Sequence, residues 1–195
     1  GDVSAFAELM NKKAKEKGLQ NTNFTNPHGL DNENHYTTAY DLAQLTRFAL
    51  KNPVFSKIVS TRAITLGSGE HARSLYNHNK ILSMYKGADG VKTGFTKKCG
   101  RCLVSSATRD CLQLIAVTLN APDDWNDHAQ MLNIGFSRYK WNTPIKKGDY
   151  MRTVNLIGSE SDKLSLYASD DVELAVNSDD SIKIVYEVPS FAKAP

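Results

Sequence analysis

The stretch that decides the fold runs from Tyr85 to Leu103 and reads YKGADGVKTGFTKKCGRCL. Gly87 and the Asp89-Gly90 pair are turn residues, and residues 91 to 96 predict a short β-strand that carries Lys-Thr-Gly. Such a strand offers an ammonium group, a hydroxyl group and a position without a side chain, which suit an extended acidic peptide. Lys-Thr-Gly is a common tripeptide, so its flanking sequence has to carry the functional interpretation.

Composition limits the class of protein. A length of 195 residues and a hydrophobic content of 41% indicate an ordinary globular domain, or one domain with a small second. The net charge is only +3 and the basic residues are scattered, so no nucleic-acid partner is expected, although the mildly basic surface suits an anionic envelope. No apolar run approaches the roughly 20 residues that span a bilayer, and no signal peptide is present at Gly1. For an exported protein, the targeting signal is expected outside this sequence.

The cysteines do not predict a metal site. Cys99, Cys102 and Cys111 make an odd count, which disfavours a disulfide framework. Cys99 and Cys102 form a Cys-x-x-Cys pair, but a structural zinc needs four ligands and no second pair has compatible spacing. We therefore expect no metal and no other cofactor, and interpret the cysteines as small strand residues packed near the site.

Periodicity and capping residues predict the remaining elements of the first part of the chain. A core helix is expected to start at Asp2, to end at Gly18 and to place Phe6, Leu9, Met10 and Ala14 on one apolar face. Further helices are predicted after Thr38 to Asp41, over 54 to 59 and after Asp123 or Asp124. Residues 21 to 31 predict an ordered loop and residues 62 to 66 a strand. Residues 102 to 108 and 112 to 119 predict an antiparallel hairpin beside 91 to 96.

The pattern changes after Thr143. Short alternating runs at 151 to 157, 163 to 168, 172 to 176 and 182 to 188 are separated by turn residues, as in a small β-sandwich or barrel. We therefore predict a first domain over residues 1 to 141 and a β-rich C-terminal domain over residues 142 to 195.

Several polar residues have competing interpretations. His28 lies in a Pro-His-Gly turn and is interpreted as an organiser of its loop, while His35, His71, His78 and His128 are given no role. Asp41 is expected to be structural. The polar run Asn77 to Lys80 either lines a cleft or caps a turn.

Four blocks of sequence resemble one known family. NTNFTNPHGLD (residues 21 to 31), HYTTAYDLAQL (35 to 45), LYNHNKIL (75 to 82) and YKGADGVKTGFTKKCGRCLVSSATRD (85 to 110) are similar to the low-molecular-mass penicillin-binding proteins. More specifically, they resemble the serine-type D-alanyl-D-alanine carboxypeptidases. The resemblance implies an α+β fold, with an incomplete β-lactamase/transpeptidase-like antiparallel sheet flanked by helices. A small all-β C-terminal domain is expected to follow.

Two motifs of that family are absent from this sequence. The nucleophile of the family lies in Ser-x-x-Lys and its second motif is Ser-x-Asn, and neither pattern occurs here. We therefore expect this chain to be a C-terminal portion of a longer enzyme. A partner polypeptide such as the N-terminal part of the same enzyme, a cut chain or an unusual assembly is then expected to complete the core.

The resemblance also implies roles for residues of the strand. Lys92 supplies positive charge, Thr93 donates to the terminal carboxylate of the substrate, Gly94 allows close approach of the peptide, and the backbone amide of Phe95 is half of the oxyanion hole. Some members of the family carry an arginine in the segment equivalent to residues 119 to 128, which here reads LNAPDDWNDH. Because that arginine is absent, the candidates for the carboxylate anchor are Thr93, Thr96 and Arg101.

The resemblance implies a serine carboxypeptidase that trims the terminal D-alanine from peptidoglycan stem pentapeptides through an acyl-enzyme, with β-lactams as covalent inhibitors. It implies an extracytoplasmic, secreted protein at the cell envelope, with peripheral membrane association as one option. Two alternatives stay open. One is a β-lactamase or endopeptidase relative, and the other is a module that binds wall peptides without cleaving them.

Overall fold

A computed structural model describes residues 2–158, 162–189 and 191–193. The chain divides into two compact units, Gly1–Phe136 and Ser137–Pro195. The boundary expected from the sequence, between residues 141 and 142, stays a prediction. None of the helices in the described part of the chain is long and apolar enough to cross a membrane.

The first unit mixes helices with antiparallel strands. Its elements, in chain order, are α1 Val3–Glu16, α2 Ala39–Ala49, α3 Pro53–Ser60, β1 Ala63–Leu66, a 3-10 turn Gly69–His71, β2 Arg73–Tyr76, α4 Ile81–Met84, β3 Ala88–Thr96, β4 Gly100–Arg109, β5 Leu112–Thr118 and α5 Asp124–Arg138. β1 and β2 form a two-stranded hairpin, and β3, β4 and β5 form a three-stranded antiparallel sheet in that order. The predicted hairpin of residues 102 to 119 is confirmed.

The first helix begins and ends as the sequence predicts, but only part of its predicted apolar face is buried. The Asp2 carboxylate accepts a hydrogen bond from the Ser4 amide at 2.7 Å, and Gly18 follows the helix with a φ of +75°. Ala7 and Ala14 are buried, whereas Phe6 is 53% and Leu9 is 63% exposed. The prediction of a core helix is confirmed at Ala14 and wrong at Phe6 and Leu9, because periodicity identifies an apolar stripe but not the element that covers it.

Asp41 connects α2 to the loop of residues 21 to 31. The Thr38 hydroxyl accepts from the Asp41 amide at 3.1 Å and caps the helix. The buried Asp41 carboxylate accepts from the Asn21 amide at 2.8 Å and from the Thr22 hydroxyl at 2.7 Å. These bonds agree with the structural role predicted for Asp41.

One face of the three-stranded sheet is closed by α4 and α5. Its core cluster contains Ile81 and Tyr85 at α4, Ala107 and Ala116 on the sheet, and Leu132 of α5, all buried. Apolar side chains that meet in this way, with little volume left between them, supply most of the stability of a small domain. This cluster fixes α5 over the central strand.

His128 of α5 fastens the same face through polar contacts. It is fully buried, and its Nδ1 and Nε2 atoms pair with the hydroxyls of Ser105 at 2.5 Å and Thr118 at 2.9 Å. Burial lowers the pKa of His128 from 6.5 to about 4, although Asp124 and Asp127 partly oppose this shift. The ring is therefore neutral at pH 7 and joins α5 to β4 and β5, a structural role that the sequence did not predict.

The opposite face of the sheet lies under α2 and α3 and is not filled. An apolar cavity of about 500 Å³ lies between α2, α3 and the strands, beside the places where these elements touch. It is lined by Leu42, Leu45, Thr46, Ala49, Phe55, Val59, Val91 to Gly94, Cys102 to Val104, Thr118 and Leu119. The two faces of one sheet thus differ in how completely they are covered.

The second unit contains two separate small sheets. Its strands are β6 Tyr139–Ile145, β7 Tyr150–Ile157, β8 Lys163–Tyr167, β9 Val172–Asn177 and β10 Phe191–Lys193. β7 lies between β10 and β8, and β6 pairs with β9. Within the described residues these strands form no closed barrel, and the α+β class expected for the whole chain is confirmed.

One strand predicted in this unit is wrong. Residues 182 to 188 are irregular, and the last described pairing is instead made by Phe191–Lys193, parallel to β7. Alternation marks residues that can line a sheet face, but a strand also needs a neighbour with which to pair, and residues 182 to 188 pair with none of the described strands.

Candidate functional site

The Lys-Thr-Gly strand lies at an edge of its sheet. The pairing of β3 with β4 shows which of its backbone amides point outward, away from β4. β3 pairs with β4 on one side and has no partner on the other among the described residues. The Arg101 carbonyl accepts from the Ala121 amide at 2.9 Å, so Arg101 directs its backbone groups away from β3. Its partner in the register, Phe95, must then direct its own amide and carbonyl toward the free edge. Thr93, two residues earlier, has the same orientation.

Lys92 and Thr93 project to opposite faces but meet at this edge. The pleat sends Lys92 and Gly94 toward α2 and α3, and sends Thr93 and Phe95 toward α5. Lys92 is exposed, and its ammonium group reaches around the edge to donate to the Thr93 carbonyl. Both residues consequently border a single cleft, because that cleft wraps the strand edge.

The cleft beside this edge has a volume of about 780 Å³ and a polar lining. All five residues that the sequence singled out, Lys92, Thr93, Gly94, Phe95 and Thr96, line it. The other lining residues are Pro27, His28, Gly29, Leu30, His78, Lys80, Arg101, Asp124 and Trp125. A cleft of this size, with several cationic groups beside free strand amides, suits an extended peptide that carries negative charge.

The loop and turn around the cleft are held by side-chain hydrogen bonds. The His28 ring accepts from the Leu30 amide at 3.3 Å, which agrees with its predicted role as a loop organiser. Asn79 is buried, and its side chain accepts from the Ile81 amide at 3.2 Å. His78 and Lys80 line the cleft. The polar run from Asn77 to Lys80 therefore does both of the things between which the sequence left the choice open.

Thr96 is already engaged within the chain. Its hydroxyl donates to Asp31 at 2.8 Å and accepts from the Cys99 amide at 2.9 Å. The Cys99 thiol also donates to Asp31 at 3.0 Å. These hydrogen bonds, from Cys99 first and then Thr96, lower the pKa of Asp31, and the same carboxylate raises the pKa of Cys99. Thr96 thus fixes the β3–β4 turn and is a weaker candidate for the carboxylate anchor.

The cysteines are free and differ in their surroundings. Cys99 is exposed in the turn, Cys111 is exposed, and Cys102 is half-buried on β4. The expectation that they pack as small strand residues therefore holds only for Cys102, since an exposed turn residue has no sheet neighbours to pack against. Among the described residues, no group of three or more His, Cys, Asp or Glu side chains could hold a metal ion.

Arg101 is the best-fixed cation of the cleft. Its Nε and Nη2 atoms donate to one oxygen of Asp124 at 3.2 and 2.6 Å. Its guanidinium also lies over the ring of Trp125, 5.4 Å from the ring centre. The sequence named Arg101 as a candidate, but it did not reveal Asp124 or Trp125 as its neighbours. Their position at the start of α5 was visible, whereas the approach of that helix to β4 is set by tertiary packing.

Comparison with known proteins agrees with this geometry. The model of the D-alanyl-D-alanine carboxypeptidase family, peptidase S11, matches residues 1–123, which is more than half of the chain. The chain belongs to this family. The β3 edge, the cleft and the helices around them all fall within, or directly beside, the matched residues. The family expected from the four sequence blocks is thereby confirmed.

Individual carboxypeptidase relatives extend the match. The chain is 34% identical over 178 residues to the D-alanyl-D-alanine carboxypeptidase DacF of Bacillus subtilis, covering 89% of this chain and 46% of that protein. It is 36% identical to DacC of Escherichia coli over 151 residues, covering 75% and 37%. Penicillin-binding protein 5 of Haemophilus influenzae aligns in structure with a TM-score of 0.73 at 29% identity, covering 92% and 53%.

The chain therefore spans less than half the length of these two curated carboxypeptidases. The structure of the Streptomyces K15 DD-transpeptidase aligns with a TM-score of 0.64 at 35% identity. The alignment covers 68% of this chain and 54% of that protein. These structural matches agree with the transpeptidase-like α+β fold predicted for the first part of the chain.

Proposed function

We propose that this chain supplies the substrate-binding strand of a serine-type D-alanyl-D-alanine carboxypeptidase, which trims the terminal D-alanine from peptidoglycan stem peptides. The observation that carries the proposal is the free edge of β3, with Lys-Thr-Gly beside a polar cleft of about 780 Å³, in a chain of the carboxypeptidase family. An extended peptide can pair with such an edge through its own backbone.

Each residue of the strand then has a task in acyl transfer. Lys92 contributes positive charge at the edge, and Gly94 leaves room for the peptide backbone. The Thr93 hydroxyl, on the cleft side, donates to the substrate carboxylate. The outward amide of Phe95 is one oxyanion donor, and a preorganised donor of this kind lowers a barrier by about 3 to 4 kcal/mol. A serine outside the numbering of this chain attacks the carbonyl between the two D-alanines, and water releases the acyl group.

We further propose that the activity is located outside the cytoplasm, at the cell envelope. Peptidoglycan stem peptides and β-lactams are both met there, and trimming of stem peptides acts on cross-linking and so on cell shape. Protease treatment of intact cells tests this: an envelope protein is degraded while a cytoplasmic control protein survives.

The experiment uses the complete gene product that contains this chain. Incubation with a fluorescent penicillin is expected to give a covalent label that survives denaturation and is blocked by an excess of unlabelled penicillin. Incubation with diacetyl-L-lysyl-D-alanyl-D-alanine is expected to release D-alanine. Lys98→Ala, in the turn after the strand, is the matched control for Lys92→Ala. Of these two lysines, Lys92 lines the cleft and Lys98 does not.

The results separate the proposal from its alternatives. Labelling followed by D-alanine release supports the carboxypeptidase. Labelling with fast hydrolysis of the penicillin and no D-alanine release indicates a β-lactamase, and cleavage only of cross-linked peptides indicates an endopeptidase. Peptide binding without any covalent label indicates a wall-binding module and refutes the proposal.

A further inference from the structure

Arg101 lies where it can reach the end of a peptide bound along β3. It is directly opposite Phe95 in the β3–β4 register, and directly opposed residues project to the same sheet face. Opposed residues of a pair without mutual hydrogen bonds have Cα atoms roughly 4.5 Å apart. The Arg101 side chain therefore starts one strand in from the free edge to which the Phe95 amide points, on the sheet face that also carries the Thr93 hydroxyl.

The guanidinium of Arg101 is held in place but keeps unpaired N–H donors. Two of its N–H donors bond the same Asp124 oxygen, and the Trp125 ring lies against it. An arginine has five N–H donors, so three remain for a second acceptor. The Arg101 side chain is 40% exposed whereas that of Asp124 is 4% exposed, so the buried carboxylate holds a guanidinium that remains accessible, and Arg101 lines the cleft.

The charge of the pair also leaves Arg101 available for an anion. Asp124 is the first residue of α5, where unpaired amides and the helix dipole stabilise a negative charge. Part of the charge of Asp124 is therefore balanced by its own helix, and the guanidinium keeps an attraction for a second carboxylate. Charge-assisted pairing of arginine with a carboxylate is strong and directional.

Other candidates in the cleft are less suited to this task. Thr96 is committed to Asp31 and to the Cys99 amide. Lys92 projects toward the opposite face and donates to the Thr93 carbonyl. Arg101 alone among these combines a fixed side chain, free donors and the cleft-facing side of the sheet.

We propose that Arg101 binds the terminal carboxylate of the substrate, next to the Thr93 hydroxyl, and that Asp124 and Trp125 are positioning residues for it. The inference rests on the proposed carboxypeptidase function and identifies its determinant for a free C-terminus. In a peptide that ends in D-Ala-D-Ala, the carboxylate lies one residue beyond the carbonyl under attack, or at most about 3.6 Å of extended chain. That distance is short enough for Arg101 to bind the carboxylate while the amide of Phe95 binds the carbonyl oxygen.

The test compares two substrates in the complete gene product: diacetyl-L-lysyl-D-alanyl-D-alanine and the same peptide with a C-terminal amide. The unsubstituted protein is expected to favour the free carboxylate in kcat/KM by roughly 10- to 100-fold, the range for a hydrogen bond between charged groups. Arg101→Gln is expected to abolish this preference by losing activity on the carboxylate while retaining its activity on the amide. Arg101→Lys, which keeps the charge but not the fork of donors, is expected to recover part of the preference.

Arg109→Gln is the matched control. Arg109 lies at the other end of β4, where it stacks on Tyr85 and Phe136 and bonds the Lys86 carbonyl away from the cleft. It is expected to keep the preference. Retained hydrolysis of the amide by Arg101→Gln, together with an unchanged melting temperature, distinguishes lost recognition from misfolding.

Several outcomes overturn the inference. If Arg101→Gln lowers both substrates equally, the residue is structural; if it leaves the preference intact, another group binds the carboxylate. If the unsubstituted protein cleaves both peptides with equal kcat/KM, releasing D-alanine from one and D-alaninamide from the other, only this inference fails. If it cleaves neither peptide, the proposed function fails, and the inference fails with it.

Discussion

One face of the β3-β4-β5 sheet is closed by α4 and α5, whereas the other, under α2 and α3, retains an apolar cavity of about 500 Å³. The closed face combines Leu132 and its apolar neighbours with the buried His128. Its rim, at β3, carries the polar cleft with Thr93 and Arg101. The open face carries Lys92, Gly94 and Cys102 at the same strands.

The closed face of the sheet is expected to determine stability, whereas the β3 edge is expected to determine binding. Close packing on the α5 side fixes β4 and β5 and so gives the edge strand a firm support. On the α2 side, apolar surface lies around a space that the described residues do not fill. Substitutions on the closed face are therefore expected to change stability, and substitutions at the β3 edge are expected to change binding and catalysis.

The largest effect is expected at the centre of the closed face. Leu132→Ala is predicted to lower the free energy of unfolding by about 2 to 5 kcal/mol, because it leaves a cavity in a packed cluster. Leu45→Ala, which lines the open cavity and is half-buried, is predicted to cost about 1 kcal/mol. Guanidinium denaturation of the complete gene product that contains this chain measures both. Equal losses of stability in the two variants would mean that the two faces of the sheet are packed equally well.

Next in size is the loss of the ammonium group at the strand edge. Lys92→Ala is predicted to reduce kcat/KM for D-alanine release by roughly 100- to 1000-fold, which is the effect of removing one preorganised group that stabilises developing charge. The melting temperature is predicted to stay unchanged, because Lys92 is exposed and outside the core cluster. An unchanged rate in Lys92→Ala means that its charge takes no part in the reaction.

A slightly smaller effect is expected from pH, through His128. The unfolded ring binds a proton near pH 6.5, whereas the folded ring does so only near pH 4. Unfolding therefore takes up a proton between these values, so this stability is fully present above pH 6.5 and is lost as the pH falls to 4. The loss amounts to about 3 kcal/mol. Urea denaturation at pH 7.5, 5.5 and 4.5 tests this, with His128→Gln as the variant whose stability lacks this slope. A slope that persists in the variant assigns the effect to other groups.

The smallest effect is expected at Gly94. A Cβ atom there lies 3.9 Å from Cys102, which is ordinary contact, so the fold tolerates Gly94→Ala. A peptide that lies along the edge meets the added methyl group, and kcat/KM is predicted to fall by about tenfold through misplacement of the substrate. Gly94→Val is predicted to lose more, with little change in melting temperature. If both variants keep full activity, the peptide does not approach the strand at this position.

The sequence predicted most of the first unit because its signals are local. Asp2, Thr38 and Gly18 mark helix ends through hydrogen bonds with near neighbours, and alternation over 102 to 119 identifies a hairpin. The Lys-Thr-Gly strand was identified from its turns and flanking blocks. That strand lies at a free edge among the described residues, and its role in substrate binding stays a prediction.

What the sequence did not reveal depends on contacts between distant segments. Arg101 and Asp124 are 23 residues apart, and His128 meets Ser105 and Thr118 only after α5 has packed on the sheet. The exposed face of α1 and the irregular residues 182 to 188 show the converse. Both have the periodicity of a packed element, but periodicity does not supply the neighbour that would cover or pair with it.

The unpaired edge of β3 has a consequence for how this protein behaves at high concentration. A row of free amides and carbonyls that accepts a substrate also accepts the same strand of another molecule, and such pairing leads to aggregation. Lys92 within the strand and Lys97 just after it place like charges along that row. Two copies of the edge are therefore expected to repel each other, so these lysines oppose self-association of the protein through this strand.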